Sequence, residues 1–229
     1  MFSTASSPVA YYLPGTTGWG ATLGDIRAML WNPSVPFNFT TNNGIITITG
    51  YLGPSGPATI PSTINGLPVT SIGIQAFAGD LRLTSITLPG SVTSIGSFAF
   101  LYCYSLKGVF LTGNAPSVAW DAFAATGAIV YYLPGTTGWD TTFAGRPTRL
   151  WNPLMQTSGP NFGVRPAGFG FNITGTADIP IVVEACTSLG NASWVPLQSL
   201  NLTNGTVYFS DLNWTNFPAR FYRIRPPLY

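Results

Sequence analysis

The sequence predicts a mainly β protein, a solenoid of stacked repeats followed by a small antiparallel β-sandwich-like domain. Three observations carry this. A pattern of 23 residues recurs in tandem, as VTSIGIQAFAGDLRLTSITLPGS at 69–91 and VTSIGSFAFLYCYSLKGVFLTG from 92. Charged residues make up 7% of the chain, against about 25% in ordinary globular proteins, so Ser, Thr, Asn and Gly must cover its surface. Such a surface suits strands and turns better than exposed helices, which carry Glu and Lys. Finally, 26 Gly and 20 Pro punctuate the whole length, as expected when short strands alternate with tight turns.

Taken in order, residues 1–33 read as the end of a preceding repeat cassette. The segment 11–33 recurs as 131–153, with 14 of 23 positions identical. The first copy has no repeats before it, so Val9 to Pro14 reads as the last strand of another array, and the chain as a piece of a longer protein. Residues 34–153 form the array that the sequence contains in full. Asn42-Asn43-Gly44 is a turn signal, and IITITGY alternates like a strand. Within each repeat, LTSITL at 83–88 is β-branched, and Leu83, Ile86 and Leu88 point inward. VTSI at 69–72 and 92–95 is a second short strand. The Ala-Phe pairs occupy a turn that stacks Phe77, Phe100 and Phe123 above one another. A third, degenerate copy runs from Val118, with Ile129 and Tyr132 in the positions of Leu106 and Val109. One unit cannot bury its own apolar face, but a stack of them makes the core continuous. Residues 154–166 read as a Gly/Pro/Ser-rich linker. Residues 167–229 form the sandwich-like module, with strands expected near 168–174, 179–186, 194–200, 205–210 and 219–225.

The repeat, with its VTSIG, AF, LTSITLP and Cys103 positions, resembles the BspA-like, or Treponema pallidum-type, leucine-rich-repeat family. The likeness is close over 58–113 and looser over 114–150. It implies a bacterial surface or secreted protein that works by adhesion or protein binding, without enzymatic activity. The tail, with VEACTSLGNASWVPL and FPARFYRIR, is similar to β-modules that end secreted proteins of Verrucomicrobia-like bacteria.

Candidates for chemistry are few. The chain has no His, which removes the commonest general base, Ser-His-Asp triads and most transition-metal sites. The seven carboxylates include no DxDxDG run, and Asp121 and Asp140 read as turn caps. No cofactor is expected. There is no basic block for nucleic acid; Arg220, Arg223 and Arg225 read as one face of a terminal strand. No apolar run is long enough to span a bilayer. Cys103 and Cys186 read as buried free thiols, although a disulfide between them stays open. Trp139 and Trp151 recur at the cassette positions of Trp19 and Trp31, which marks all four as scaffold. The candidate binding residues are the non-repeating ones expected on the outer face of the strand ladder: Thr84, Ser85, Thr87, Lys107, Phe110, Tyr131 and Leu133. They point to a protein or polysaccharide ligand for an extracellular or cell-surface adhesin. A carbohydrate-binding module, a structural spacer and, last, a hydrolase are the rivals. Uncapped solenoid ends add an expectation of self-association.

Overall fold

The computed structural model describes residues 9–12, 22–23, 26–30, 35–166 and 168–227. Its repeats stack into two ladders. Gly56–Thr59, Leu83–Leu88, Gly108–Leu111, Ile129–Tyr132 and Arg146–Leu150 pair in succession as parallel strands. Ile45–Tyr51, Leu67–Ile72, Ser94–Ile95 and Ser117–Val118 form the second parallel ladder. Turns at 74–79, 97–102 and 120–125 lead from the second ladder toward the first.

The period-2 rule accounts for Ile86 and Leu88 in the core, whereas Leu83 and Ser85 at the start of the same strand are buried outside that alternation. Leu83, Ile86 and Leu88 are fully buried, and Val109, Leu111 and Val130 repeat their positions one and two rungs on. The Ala-Phe turns bond directly to one another: Phe77 N donates to Ala99 O, and Phe100 N to Ala122 O, both at 2.8 Å. This stacks the Phe77, Phe100 and Phe123 rings with centroids 5.0 Å apart at each step. Offset-stacked rings are the favoured geometry, so each repeat adds an identical aromatic layer. Adjacent repeats also need small residues where their backbones meet. A Cβ on Gly113 would lie 2.5 Å from the Cα of Gly90, its counterpart 23 residues earlier.

The third repeat departs from the expected register. Ile129 pairs with Gly108, Val130 with Val109 and Tyr132 with Leu111. Ala122-Phe123 keeps the 23-residue offset, so the connection from Phe123 to the strand is two residues shorter than the one after Phe100. Val130, rather than Ile129, therefore enters the core.

Hairpins cover both ends of the ring stack. Phe37–Asn42 and Ile45–Tyr51 turn at Asn43-Gly44, both with φ in the left-handed region, and Tyr51 packs on Phe77 at 6.0 Å. Thr142–Phe143 and Arg146–Leu150 close the other end, with Phe143 against Phe123 and Trp139. The ring stack is thus covered at both ends, while among the described residues Gly56–Thr59 and Ser117–Val118 remain edge strands of their ladders. The duplicated cassette is also visible in the backbone. Val9–Tyr12, Thr22–Leu23 and Ile26–Leu30 pair in the same register as Ile129–Tyr132, Thr142–Phe143 and Arg146–Leu150. Trp19 and Trp31 lie outside the described residues.

The tail is two antiparallel sheets. Leu154–Met155, Gly163–Arg165 and Thr206–Asp211 all pair with Gly168–Thr174. Val195–Asn201 and Phe221–Arg225 flank Pro180–Cys186. Phe171, Ile173 and Phe209 of one sheet meet Ile181 and Val183 of the other in a shared core. Residues 154–166, expected as a linker, contribute two of these strands. Cys103 and Cys186 are buried and unpaired. The Cys103 Sγ donates to Phe77 O at 3.0 Å, and burial pushes its thiol up to about 11.

Candidate functional site

The outward row of the first ladder runs Thr87, Phe110, Tyr131, Arg149, one residue per rung. The Phe110 and Tyr131 rings stack at 4.8 Å. Sequence periodicity places these residues outward correctly, but outward is not exposed. Phe110 is 5% exposed and Tyr131 3%, and both belong to the same core cluster as Phe171, Ile181 and Phe209. The C-terminal module sits on the ladder and covers the two residues expected to bind a partner. Two stacked rings facing water would be an apolar liability, and the chain buries them against itself.

Three polar anchors hold the module there. The Arg149 Nη1 donates to Asp178 O at 2.9 Å and lies 3.7 Å from the Asp178 carboxylate. The Trp151 Nε1 donates to Pro180 O at 3.0 Å. Asn152 Oδ1 accepts from Thr176 N at 2.7 Å and from its hydroxyl at 2.9 Å. Trp151 is thus a structural residue, as its recurrence implies. So is Trp139, which stacks on Tyr132 at 5.1 Å and donates to the Thr136 hydroxyl. Of the other ladder candidates, Ser85 is also buried, which corrects its expected exposure. Thr84, Thr87 and Leu133 are half-buried, and Lys107 is exposed.

The exposed aromatics lie instead on the turns. Trp120 is 85% exposed in the third repeat, and Phe98, Tyr102 and Tyr104 are exposed in the second. Ile74 occupies the position of Trp120 two repeats earlier, with Ser97 between them, roughly 10 Å apart at the strand-to-strand spacing. Tyr102 and Tyr104 touch, with ring centroids 5.8 Å apart. Nothing in the repeat demands aromatic side chains here. The equivalents of Phe98 are Gln75 and Asp121, and those of Tyr102 are Gly79 and Ala125. Phe98 and Tyr102 also sit at φ of 55° and 59°, a region that disfavours bulky residues. Asp121 braces this turn: its carboxylate accepts from the Ser97 hydroxyl at 2.6 and 2.7 Å and from Phe98 N at 3.4 Å. Periodicity could not reveal this patch, because it consists of the positions where the repeat is broken.

Carboxylates elsewhere are similarly occupied. Asp140 caps Thr141 N at 2.7 Å, apart from Asp121 in role and exposure. Asp80 accepts from Arg82 N at 2.9 Å and pairs with its guanidinium at 3.3 Å, beside an open cavity of about 430 Å³ lined by Tyr51 and Phe77. Glu184 is buried between Arg223 at 2.7 Å and Arg225 at 2.5 Å. Arg220 does not join them. It precedes the strand and pairs with buried Asp211 at 2.5 Å. Among the described residues no group of three or more Cys, Asp or Glu is placed to hold a metal ion. No helix among them is long and apolar enough to cross a membrane.

The family model for the BspA type leucine rich repeat region matches residues 59–136 in six copies. No curated protein matches. Three solved structures are similar over part of their length. A leucine rich repeat protein of T. pallidum is 26% identical over 44% of this chain and 52% of its own, with a TM-score of 0.36. A leucine rich cell surface protein of Faecalibacterium prausnitzii is 28% identical over 48% and 34%, with a TM-score of 0.38. A leucine-rich repeat protein of Bacteroides capillosus is 26% identical over 51% and 95%, with a TM-score of 0.36. The chain thus spans about half of the first of these proteins and a third of the second.

Proposed function

We propose that this BspA-type array is an extracellular or cell-surface adhesion module that binds a protein partner through its turn side, not its strand side. The observation that carries the reading is Trp120, 85% exposed, in the repeat next to the one that carries the non-repeating exposed aromatics Phe98, Tyr102 and Tyr104. Trp and Tyr dominate the energetic centres of protein interfaces, because each brings a large rigid apolar surface with few torsions to freeze. Exposed aromatics with no charged residue among them suit burial under a partner. The strand side offers less. Its two aromatics are already buried by the C-terminal module, which leaves Lys107, Thr84, Thr87 and Leu133 as a narrower surface.

The test is binding of the purified chain to an immobilised panel of extracellular-matrix proteins. The reading expects one of them to be retained, and expects Trp120→Ala/Tyr104→Ala to abolish that binding with an unchanged melting temperature. Lys107→Ala/Thr87→Ala should bind as the parent does. If instead the Lys107 variant loses binding and the Trp120 variant keeps it, the strand side is the site.

A further inference from the structure

We infer that the C-terminal module carries a second, independent binding site, for a neutral oligosaccharide, at the two cavities that share Arg220. The first is a cup of about 270 Å³ walled by Phe169, Trp214, Phe217 and Tyr222. The second, of about 190 Å³, is bordered by Gln198, Ser210, Asp211 and Asn213. The Asp211–Arg220 ion pair stands between them. Each side of that wall has a different chemistry, one mainly aromatic and one mixed, with Gln198, Asn213 and Ser210 beside Leu197, Phe209 and Leu212.

The wall is built rather than incidental. Asp211 is 6% exposed, and its carboxylate accepts from Arg220 Nε, from the Tyr222 hydroxyl at 3.1 Å and from Asn213 N at 2.9 Å. The Arg220 guanidinium in turn lies 4.0 Å over the Phe217 ring. Phe169 and Tyr222 stack at 5.4 Å, which fixes the far wall of the cup. Arg220 also hydrogen-bonds the Tyr222 hydroxyl, whereas among the described residues the indole N–H of half-buried Trp214 and the exposed Gln198 amide donate to no protein group. One donor, the Trp214 indole N–H, is therefore left over at the aromatic cup, and another, the Gln198 amide, at the second cavity.

A pyranose matches this arrangement. Its C–H faces stack on aromatic rings while its hydroxyls, donor and acceptor alike, lie around the edge. One sugar ring fills the cup with its rim toward Trp214 Nε1 and Arg220. The next residue of the chain crosses the ion pair and meets Gln198 and Asn213. The charges of Asp211 and Arg220 cancel, which favours a neutral sugar over an acidic one. An apolar peptide side chain would fill the cup but leave those donors unpaired, at a cost that disfavours it. The site is independent of the turn-side reading, since none of its residues belongs to the array.

The experiment is calorimetric titration of the full chain with cellotetraose, xylotetraose, mannotetraose and maltotetraose. One of them is expected to bind, with Trp214→Ala weakening it by about tenfold or more and Gln198→Ala by about threefold. Trp120→Ala should leave the affinity unchanged. Because Trp214 is half-buried, the exposed double substitution Gln198→Ala/Phe217→Ala supplies a second variant, checked by its melting temperature. No binding of any of the four sugars at about 10 mM overturns the inference. So does a sugar whose affinity survives the folded double variant, or one lost with Trp120→Ala instead.

Discussion

The array and the C-terminal module solve the same problem, a protein with almost no charge, in opposite ways. The array repeats one layer, so each Phe of the 77–100–123 stack and each strand of the ladders finds its counterpart about 5 Å away. Its polar groups are satisfied mainly by neighbouring repeats, as when Ser94 Oγ donates to Ser71 Oγ. The module has no repeat. It holds its sheets together with one mixed aromatic core and concentrates ionic partners there, Glu184 with Arg223 and Arg225, and Asp211 with Arg220. Stability in the array is spread along a ladder, whereas in the module it is gathered at a few points. The face where the two meet shows that the most apolar surface of a solenoid can serve its own chain.

The sharpest way to break the comparison is at the ladder. Phe100 is fully buried between two rings, so Phe100→Ala should cost about 3–5 kcal/mol and lower the melting temperature by about 10 °C, read by circular dichroism. The junction comes next. Tyr131→Ala removes a ring shared by array and module, with a cost of about 3 kcal/mol. Its calorimetric trace should split into two transitions where the parent shows one.

The module's ionic points give a smaller, pH-dependent effect. Burial alone would raise the Glu184 carboxyl, but hydrogen bonds from Arg225 and Arg223 outweigh it and hold the pKa below 4.5. A folded pKa below the unfolded one means that the contribution is complete above 4.5 and is lost as pH falls through the lower folded value. Glu184→Gln should therefore cost about 2 kcal/mol near neutrality, less than for a fully enclosed pair because Arg223 reaches water. The gap in melting temperature between parent and variant should close as pH falls below 4.5. The smallest effect belongs to the exposed ladder residue: Lys107→Ala should change stability by less than about 0.5 kcal/mol.

Much of this architecture was legible in the residues. The repeat of VTSIG and Ala-Phe places the Phe77–Phe123 stack, and the apolar positions 83, 86 and 88 mark the inward side chains, although Ser85 is buried with them. The five main strands of the module also fall close to where their β-branched and aromatic runs predict, from GFGFNIT to FYRIR. The shortened connection after Phe123 was hidden, because the degenerate repeat offers no apolar spacing that distinguishes Ile129 from Val130. The site was legible only in part. Periodicity identifies which face a residue points to, but not what lies across from it. Nothing in the ladder sequence shows that Phe110 and Tyr131 meet Phe171 and Ile181, more than 40 residues later along the chain from either ring in most pairs. Trp120 is hidden for the opposite reason: it lies on a turn, where strand periodicity carries no information.

Which face is available can be measured directly with thiol chemistry, since both native cysteines are buried. Phe110→Cys and Trp120→Cys would each be treated with a thiol reagent in native buffer. The account predicts that the thiol at 120 reacts as fast as a free peptide thiol, while the thiol at 110 stays protected until the protein unfolds. Equal, fast reaction at both positions in a folded protein would contradict it, and would reopen the strand ladder as the binding face.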